Sequence, residues 1–206
     1  MLVKICGIMT EEAGVAACDL GADLLGFVFA ESKREISPEK AAEIRRQLPE
    51  SAKTVGVFVN ETQENIIRIA ETAHLDYVQL HGEESADFCR DLPYPVIKAF
   101  SIKKESDLDQ LMDYDCDYYL LDSPGVQFAG GSGIPFDWNL LKEKHLPNEQ
   151  LILAGGLNAE NVQKAIEKVR PAIVDVSSGV EKEGHKDLAK IAEFIQKAKY
   201  RGVKDK

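Results

Sequence analysis

The sequence predicts an α/β fold, a single (β/α)8 TIM barrel with a closed parallel sheet. Short apolar, β-branched runs alternate with longer amphipathic runs, the alternation repeats eight times, and the chain has 206 residues. Alternating strands and helices imply a parallel sheet covered by helices, and barrels of this kind run from about 200 residues upward. No Pro/Gly/Ser-rich linker marks a boundary, so we expect one domain over residues 1–206.

The elements follow from the two periodicities of apolar residues. The predicted strands are Leu2–Cys6, Leu24–Phe29, Thr54–Val59, Tyr77–Leu80, Val96–Ala99, Tyr118–Asp122, Leu151–Ala154 and Ile173–Val176. The predicted helices are Glu11–Leu20, Pro38–Gln47, Thr62–Ala73, Ser85–Asp91, Glu105–Met112, Asp137–Leu141, Asn161–Val169 and Asp187–Tyr200. Ser37 supplies a capping hydroxyl directly before Pro38 in a first turn, and Asn158 is placed to cap the seventh helix.

An open, doubly wound sheet is the competing fold. It requires a glycine-rich nucleotide fingerprint after the first strand, and residues 6–10 read C-G-I-M-T. A second glycine-rich run begins at Gly131, but it breaks the G-x-G-x-x-G pattern at Phe136. The absence of a fingerprint favours the closed barrel.

Composition excludes several classes of function. Asp and Glu number 35 against 25 Lys and Arg, and the net charge of −10 argues against nucleic acid or an anionic membrane as a partner. The most apolar window, Ala13–Ala30, contains Asp19 and Asp23, so we expect no membrane-spanning helix there. The N-terminus lacks the layout of a signal peptide, so we expect no secretion signal. The cysteines have no C-x-x-C spacing and the histidines no H-E-x-x-H, so we expect free thiols in a reducing cytoplasm and no structural zinc site.

Polar residues fall on one face of several predicted strands. In a closed barrel alternate residues point inward, and catalysis takes place at the C-terminal ends of the strands. The predicted inward set is Lys4, Cys6, Gln79, His81, Asp122 and Asp175, with Lys98 as a further candidate. Because unpaired charges are costly in a dry interior, this cluster predicts a functional site in which Gln79 and His81 contact the substrate.

Cys6 and Lys4 each allow two interpretations. Cys6 is either a small buried hydrophobe or a general base, and a thiol base needs a nearby cation to form the thiolate. Lys4, two residues earlier on the same face, could provide that charge, or it could pair with Asp175 on the neighbouring eighth strand. Asp122 could cap the following turn or act as a general acid. Asp175 could compete for the acid role, or it could hold a substrate N–H.

Three loops are candidates for binding an anion. Gly155-Gly156 follows the seventh strand and Ser177-Ser178-Gly179 the eighth, where barrels commonly bind phosphate through backbone N–H groups. Arg34 follows the second strand, where it is either a solvated surface side chain or a fork for a carboxylate. The run Gly130–Gly133 beyond Asp122 is either a flexible loop or a lid.

Motifs along the whole chain resemble one family in the same order. They are K-I-C-G-I at residues 4–8, G-F-V-F at 26–29, S-K-R-E-I-S at 32–37, V-G-V-F-V at 55–59, V-Q-L-H-G at 78–82, L-L-D at 120–122, F-D-W at 136–138, A-G-G-L-N at 154–158 and V-D-V-S-S-G-V-E at 174–181. In these motifs the chain is similar to N-(5'-phosphoribosyl)anthranilate isomerase of tryptophan biosynthesis.

The resemblance implies an Amadori rearrangement of an aminoaldose phosphate to an aminoketose phosphate, without metal or organic cofactor. It implies that Cys6 is the general base and Asp122 the general acid, and that Arg34 contacts the anthranilate carboxylate. Asp175 would lie near the anthranilate amino group, and Gly156 with Ser177–Gly179 would bind the phosphate. The implied partner is this small anionic substrate, and the chain would be a monomer or a homodimer.

The sequence departs from the family pattern at Met9, Glu35 and Ile134-Pro135, none of which is an implied acid, base or phosphate-loop residue. Two alternatives stay open. One is another phosphate-binding barrel, such as the isomerase of histidine biosynthesis or an enzyme of both pathways. The other is an inactive barrel kept as a binding partner. A first strand that ends in Cys6 favours the Cys/Asp pair over the first alternative.

Overall fold

The eight predicted strands form a closed barrel. The computed structural model describes residues 1–124, 135–141 and 146–200. Within them, parallel strands pair in chain order and the eighth pairs back with the first. The strands are β1 (Leu2–Cys6), β2 (Leu24–Val28), β3 (Lys53–Phe58), β4 (Tyr77–Leu80), β5 (Val96–Ser101), β6 (Tyr118–Asp122), β7 (Leu151–Leu153) and β8 (Ile173–Val176). The predicted barrel is confirmed, with strand bounds within two residues of those expected.

Helices cover the outside of the barrel. The α-helices are α1 (Glu11–Asp19), α2 (Pro38–Arg45), α3 (Gln63–Ala73), α4 (Ala86–Arg90), α5 (Val162–Val169) and α6 (Leu188–Lys199). Short 3₁₀ helices cover Glu105–Asp113, Trp138–Leu141, Asn148–Gln150 and Ser178–Val180. In the described residues no helix is long and apolar enough to span a membrane.

The helices predicted after β5 and β6 are present, and both are 3₁₀ helices. Leu108 and Leu111, the buried residues of the first segment, lie three residues apart. That spacing stacks side chains on one edge of a 3₁₀ helix. Asp107 accepts the N–H groups of Lys103 and Lys104, and such local bonds compete with α-helical ones.

Both predicted helix caps are confirmed. Ser37 accepts the N–H of Lys40 in front of Pro38, as expected. The Asn158 side chain accepts the N–H groups of Glu160 and Asn161, so it caps the turn that leads into α5. Asn161, directly before α5, makes no side-chain capping bond of its own.

The barrel interior is a separate apolar layer from the one between sheet and helices. Its members are Leu24, Val55, Ile97, Ala99, Leu120, Ile152, Ala154 and Ile173. Lys4 lies opposite Leu24 in the β1–β2 register and opposite Asp175 in the β1–β8 register. Gln79 lies opposite Ile97. The three polar residues therefore occupy the inner face, as the period-two pattern predicted.

Lys98 is the exception, and its predicted inward position is wrong. It lies opposite Leu80 and Tyr119, whose side chains belong to the outer core. Its ammonium donates to the Gly82 carbonyl at 2.7 Å and pairs with Glu84 at 3.0 Å. Lys98 thus fixes the loop after β4 from outside the barrel.

A two-stranded hairpin that the sequence did not indicate follows β8. Its strands are β9 (Glu181–Lys182) and β10 (His185–Lys186), and they pair antiparallel. Glu183 and Gly184 form the turn with φ of 52° and 83°. Left-handed residues of this kind are typical of tight hairpins. The hairpin brings Glu181 and Lys186 to the mouth of the barrel.

Candidate active site

One cavity of about 440 Å³ opens at the C-terminal ends of the barrel strands. Strand ends and the loops after them supply its polar walls, as the barrel architecture dictates. The candidate residues that line it are Cys6, Arg34, Gln79, His81, Asp122, Gly155, Gly156, Asp175, Ser177 and Ser178. Gly179, the remaining candidate, lies outside the lining. The proposed lid Gly130–Gly133 falls outside the described residues.

Lys4 anchors the floor of the cavity. Its fully buried ammonium donates to Oε1 of Gln79 at 2.9 Å and to Oδ2 of Asp175 at 3.0 Å. Burial opposes its charge, but Asp175 and Cys6 outweigh burial and raise the pKa of Lys4. The predicted ion pair with Asp175 is present. Oδ1 of Asp175 is buried and has no hydrogen-bond partner among the described residues, while the side chain lines the cavity.

Cys6 ends β1 with its thiol against Gly26 of β2. A Cβ added at Gly26 would stand 2.7 Å from the Cys6 sulfur, so only glycine leaves space for the thiol there. Burial raises the pKa of Cys6, and the charge of Lys4 opposes this shift without cancelling it. The thiol is therefore protonated at neutral pH. Lys4 does favour the thiolate, but by less than burial disfavours it.

Asp122 ends β6 and has a defined partner at each oxygen. Oδ1 accepts the N–H of Ser123 at 2.7 Å, so the turn-capping interpretation is correct. Oδ2 lies 3.2 Å from Nε2 of His81. Nδ1 of that ring lies 3.1 Å from the side-chain nitrogen of Gln79. Sequence analysis did not pair His81 with Asp122, because the two residues meet only across the closed barrel.

Arg34 is held by a carboxylate and is not a free surface side chain. Its Nε and Nη2 donate to the two oxygens of Glu181 at 2.7 Å and 2.9 Å. Lys186 donates to the same carboxylate at 2.6 Å and to the Ser177 carbonyl at 3.1 Å. Burial raises the pKa of Glu181, but the bonds from Arg34 and Lys186 outweigh burial and lower it. Glu181 and Lys186 are site residues that sequence reasoning missed, although Glu181 ends one of the family motifs.

The two glycine-containing loops meet beside this cluster. Gly155 and Gly156 have φ of 78° and 65°, a backbone conformation that favours glycine. A Cβ at Gly155 would collide with Ser123, and a Cβ at Gly179 would collide with the Leu157 carbonyl. The loops after β7 and β8 therefore pack backbone against backbone. Within the described residues no group of three or more His, Cys, Asp or Glu could hold a metal ion.

Known proteins resemble this chain over nearly its whole length. A family model described as N-(5'-phosphoribosyl)anthranilate isomerase matches residues 3–197. A protein of that name from Bacillus cereus is 52% identical over 200 residues, which cover 96% of this chain and 98% of that protein. The solved isomerase of Thermotoga maritima has a TM-score of 0.86 at 43% identity, covering 97% of this chain and 99% of that one.

A further solved isomerase is a complex with reduced 1-(o-carboxyphenylamino)-1-deoxyribulose 5-phosphate. It has a TM-score of 0.84 at 42% identity, and the match covers 97% of this chain and 98% of that one. Family model, relatives and solved structures thus agree over nearly the whole length. The chain belongs to the N-(5'-phosphoribosyl)anthranilate isomerase family.

Proposed function

We propose that this chain catalyses the Amadori rearrangement of N-(5'-phosphoribosyl)anthranilate to 1-(2-carboxyphenylamino)-1-deoxyribulose 5-phosphate, a step of tryptophan biosynthesis. The observation that carries this proposal is one cavity lined by a thiol at the end of β1 and a carboxylate at the end of β6, next to the glycine loops after β7 and β8. A general base, a general acid and an anion site are what this isomerisation requires.

Asp122 acts first, as the general acid. Its carboxyl proton goes to the ribose ring oxygen, and the bond between that oxygen and C1' breaks with both electrons passing to oxygen. The lone pair of the anthranilate nitrogen forms the C=N bond, which gives a cationic Schiff base and a hydroxyl group. A positioned carboxyl group of this kind accelerates proton transfer by about 10²- to 10⁴-fold.

Cys6 acts second, as the general base. Its thiolate takes the proton from C2', and the electrons of that C–H bond neutralise the Schiff base to give an enolamine, which relaxes to the ketone. Burial holds the thiol in its protonated form at neutral pH. The positive Schiff base beside it favours the thiolate at the moment the base is needed, as opposite charges do at short range.

The remaining candidates bind the substrate. Glu181 accepts from Nε and Nη2 of Arg34, and Nη1 of Arg34 donates to the anthranilate carboxylate. The free Oδ1 of Asp175 accepts the anthranilate N–H, which would satisfy a buried acceptor. The phosphate lies against Gly156 and the loop Ser177–Gly179, whose glycines let the backbone N–H groups approach an anion closely.

The protein works as one barrel domain in the cytoplasm, without a cofactor, as a monomer or homodimer. Four free cysteines in the described residues support a reducing compartment. The acidic chain favours neither nucleic acid nor a membrane surface as a partner.

The test is the loss of phosphoribosylanthranilate fluorescence after addition of purified protein with no added metal. Wild type should turn the substrate over, and Cys6→Ala and Asp122→Asn should each lose about 10²-fold or more in kcat. Cys18→Ala, a thiol on α1 outside the cavity, is the matched control and should keep wild-type activity. Unchanged turnover in Cys6→Ala would remove the base assignment. A folded wild type that leaves the substrate untouched would favour a histidine-pathway substrate or an inactive barrel.

A further inference from the structure

The side-chain amide of Gln79 has a protein partner at each end. The side chain is buried inside the barrel, with 1% of its surface exposed. Oε1 accepts from the Lys4 ammonium at 2.9 Å, and the amide nitrogen lies 3.1 Å from Nδ1 of His81. Because an ammonium group can only donate, Lys4 fixes which way the Gln79 amide points.

This orientation determines the tautomer of His81. The amide nitrogen of Gln79 carries only donors, so Nδ1 of His81 must be the acceptor and carries no proton. The ring proton is then on Nε2, the nitrogen that lies 3.2 Å from Oδ2 of Asp122. Two hydrogen bonds and this close contact therefore link Lys4 through Gln79 and His81 to Asp122.

Asp122 thus faces a donor at each oxygen. The Ser123 N–H donates to Oδ1, and Nε2 of His81 lies beside Oδ2. Neither neighbour can accept a proton from this carboxyl group, because the Ser123 nitrogen and, in this tautomer, Nε2 of His81 each already carry hydrogen. It also cannot rest on His81, since Nδ1 faces the Gln79 donor. The added proton is left on Asp122 with its O–H directed towards the cavity, which Asp122 lines.

We propose that Gln79 is a positioning residue that denies His81 a second ring proton and so keeps the transferable proton on Asp122. This inference rests on the proposed function, in which Asp122 protonates the ribose ring oxygen. It assigns Gln79 a task in the acid step and not in substrate affinity. Loss of Gln79 should therefore lower kcat and leave KM nearly unchanged, as expected for an interaction that acts only in the transition state.

Two variants of similar size separate the possibilities. In Gln79→Glu the side chain can accept a proton from Nδ1, so His81 should carry hydrogen on Nδ1. In Gln79→Met nothing fixes the ring. We expect kcat to fall roughly 10- to 100-fold in Gln79→Glu, within the range of general acid catalysis, and less in Gln79→Met. KM should stay within about threefold in both. Gln63→Glu on α3, outside the cavity, is the matched control and should behave as wild type.

The spectroscopic readout is the ¹⁵N resonances of His81, identified by their absence in His81→Asn. Wild type should show hydrogen on Nε2 alone, and Gln79→Glu should show it on Nδ1. Hydrogen on Nδ1 in the wild type, or unchanged kcat in both Gln79 variants beside an active wild type, would overturn the inference. An inactive wild type that keeps the Nε2 tautomer would count against the proposed function but not against the hydrogen-bond order. If Gln79→Glu does not fold, the wild-type spectrum and Gln79→Met still decide.

Discussion

Replacing Lys4 by Met should destabilise the barrel strongly. The change removes both hydrogen bonds of the buried ammonium and leaves the carboxylate of Asp175 buried and without its cation. Removing one partner of a buried ion pair costs about 3–5 kcal/mol. For a chain of 206 residues, with about 2.1 cal/mol/K of unfolding entropy per residue, this corresponds to a fall in Tm of about 7–12 °C.

The assay is urea unfolding followed by circular dichroism at neutral pH. The double variant Lys4→Met/Asp175→Asn should be more stable than Lys4→Met alone. Lys197→Met, which removes an exposed pair with Glu193 on α6, should stay within about 0.5 kcal/mol of wild type. A loss below about 1 kcal/mol in Lys4→Met would refute the reasoning, since that is the cost of a surface contact.

In the wild type the stabilisation by Lys4 has a defined pH range. Burial lowers the pKa of Lys4, but Asp175 and Cys6 raise it by more, so the folded-state pKa exceeds the unfolded value. The stabilisation is then complete below about pH 10, the ordinary range for lysine, and is lost as pH rises through the raised pKa.

Lys98→Met separates the stability effect from the kinetic one. Lys98 is also buried and ion-paired, to Glu84, but it lies outside the barrel, so its loss should cost a similar amount of stability. Only Lys4 fixes Gln79. At a temperature where both variants are folded, kcat should fall further in Lys4→Met than in Lys98→Met. Equal kcat values in the two variants would contradict a role of Lys4 in the acid step.

Three further predictions concern the site itself. Because burial raises the pKa of Cys6, kcat/KM should rise with pH from 7 to 9 by up to about tenfold per unit, and a flat profile would count against a thiolate base. Gly179→Ala places a Cβ against the Leu157 carbonyl, so it should weaken inhibition by inorganic phosphate at least about tenfold. Unchanged inhibition would show that this loop does not bind the phosphate. Glu181→Gln removes one of the charged oxygens that hold Arg34, so it should raise KM roughly tenfold with little change in kcat. Glu183→Gln in the same hairpin is the control and should leave both constants unchanged. Steady-state kinetics measures both effects.

The sequence predicted the strands well because each is a short apolar run between polar turns. It also predicted which strand positions face inward, since polar residues interrupt only one face of β1, β4, β6 and β8. The side of the sheet on which Lys98 lies could not be predicted in this way. In β5 both faces are buried, one in the barrel and one under the helices, so alternation alone could not say on which side the lysine lies.

The partners of the site residues were harder to predict than their positions. Asp122 and Arg34 lie at the mouth of the barrel because they stand at or just after the end of a strand. The local pattern of apolar residues is enough to predict that position. Which groups they touch depends on closure, because His81 meets Asp122 from β4 and Glu181 meets Arg34 from the hairpin after β8. Such contacts join residues 41 and 147 positions apart, a separation at which sequence periodicity carries no information.

The electrostatics of the mouth follow from those partners and not from composition. A chain of charge −10 must bind a substrate that carries a phosphate and a carboxylate, so positive charge has to be concentrated locally. Arg34 and Lys186 supply two cations and share the single carboxylate of Glu181. That carboxylate holds Arg34 on one side and Lys186, which also donates to the Ser177 carbonyl, on the other. The groups assigned to the two anionic ends of the substrate are therefore fixed relative to each other before it binds, which reduces the entropy lost on binding.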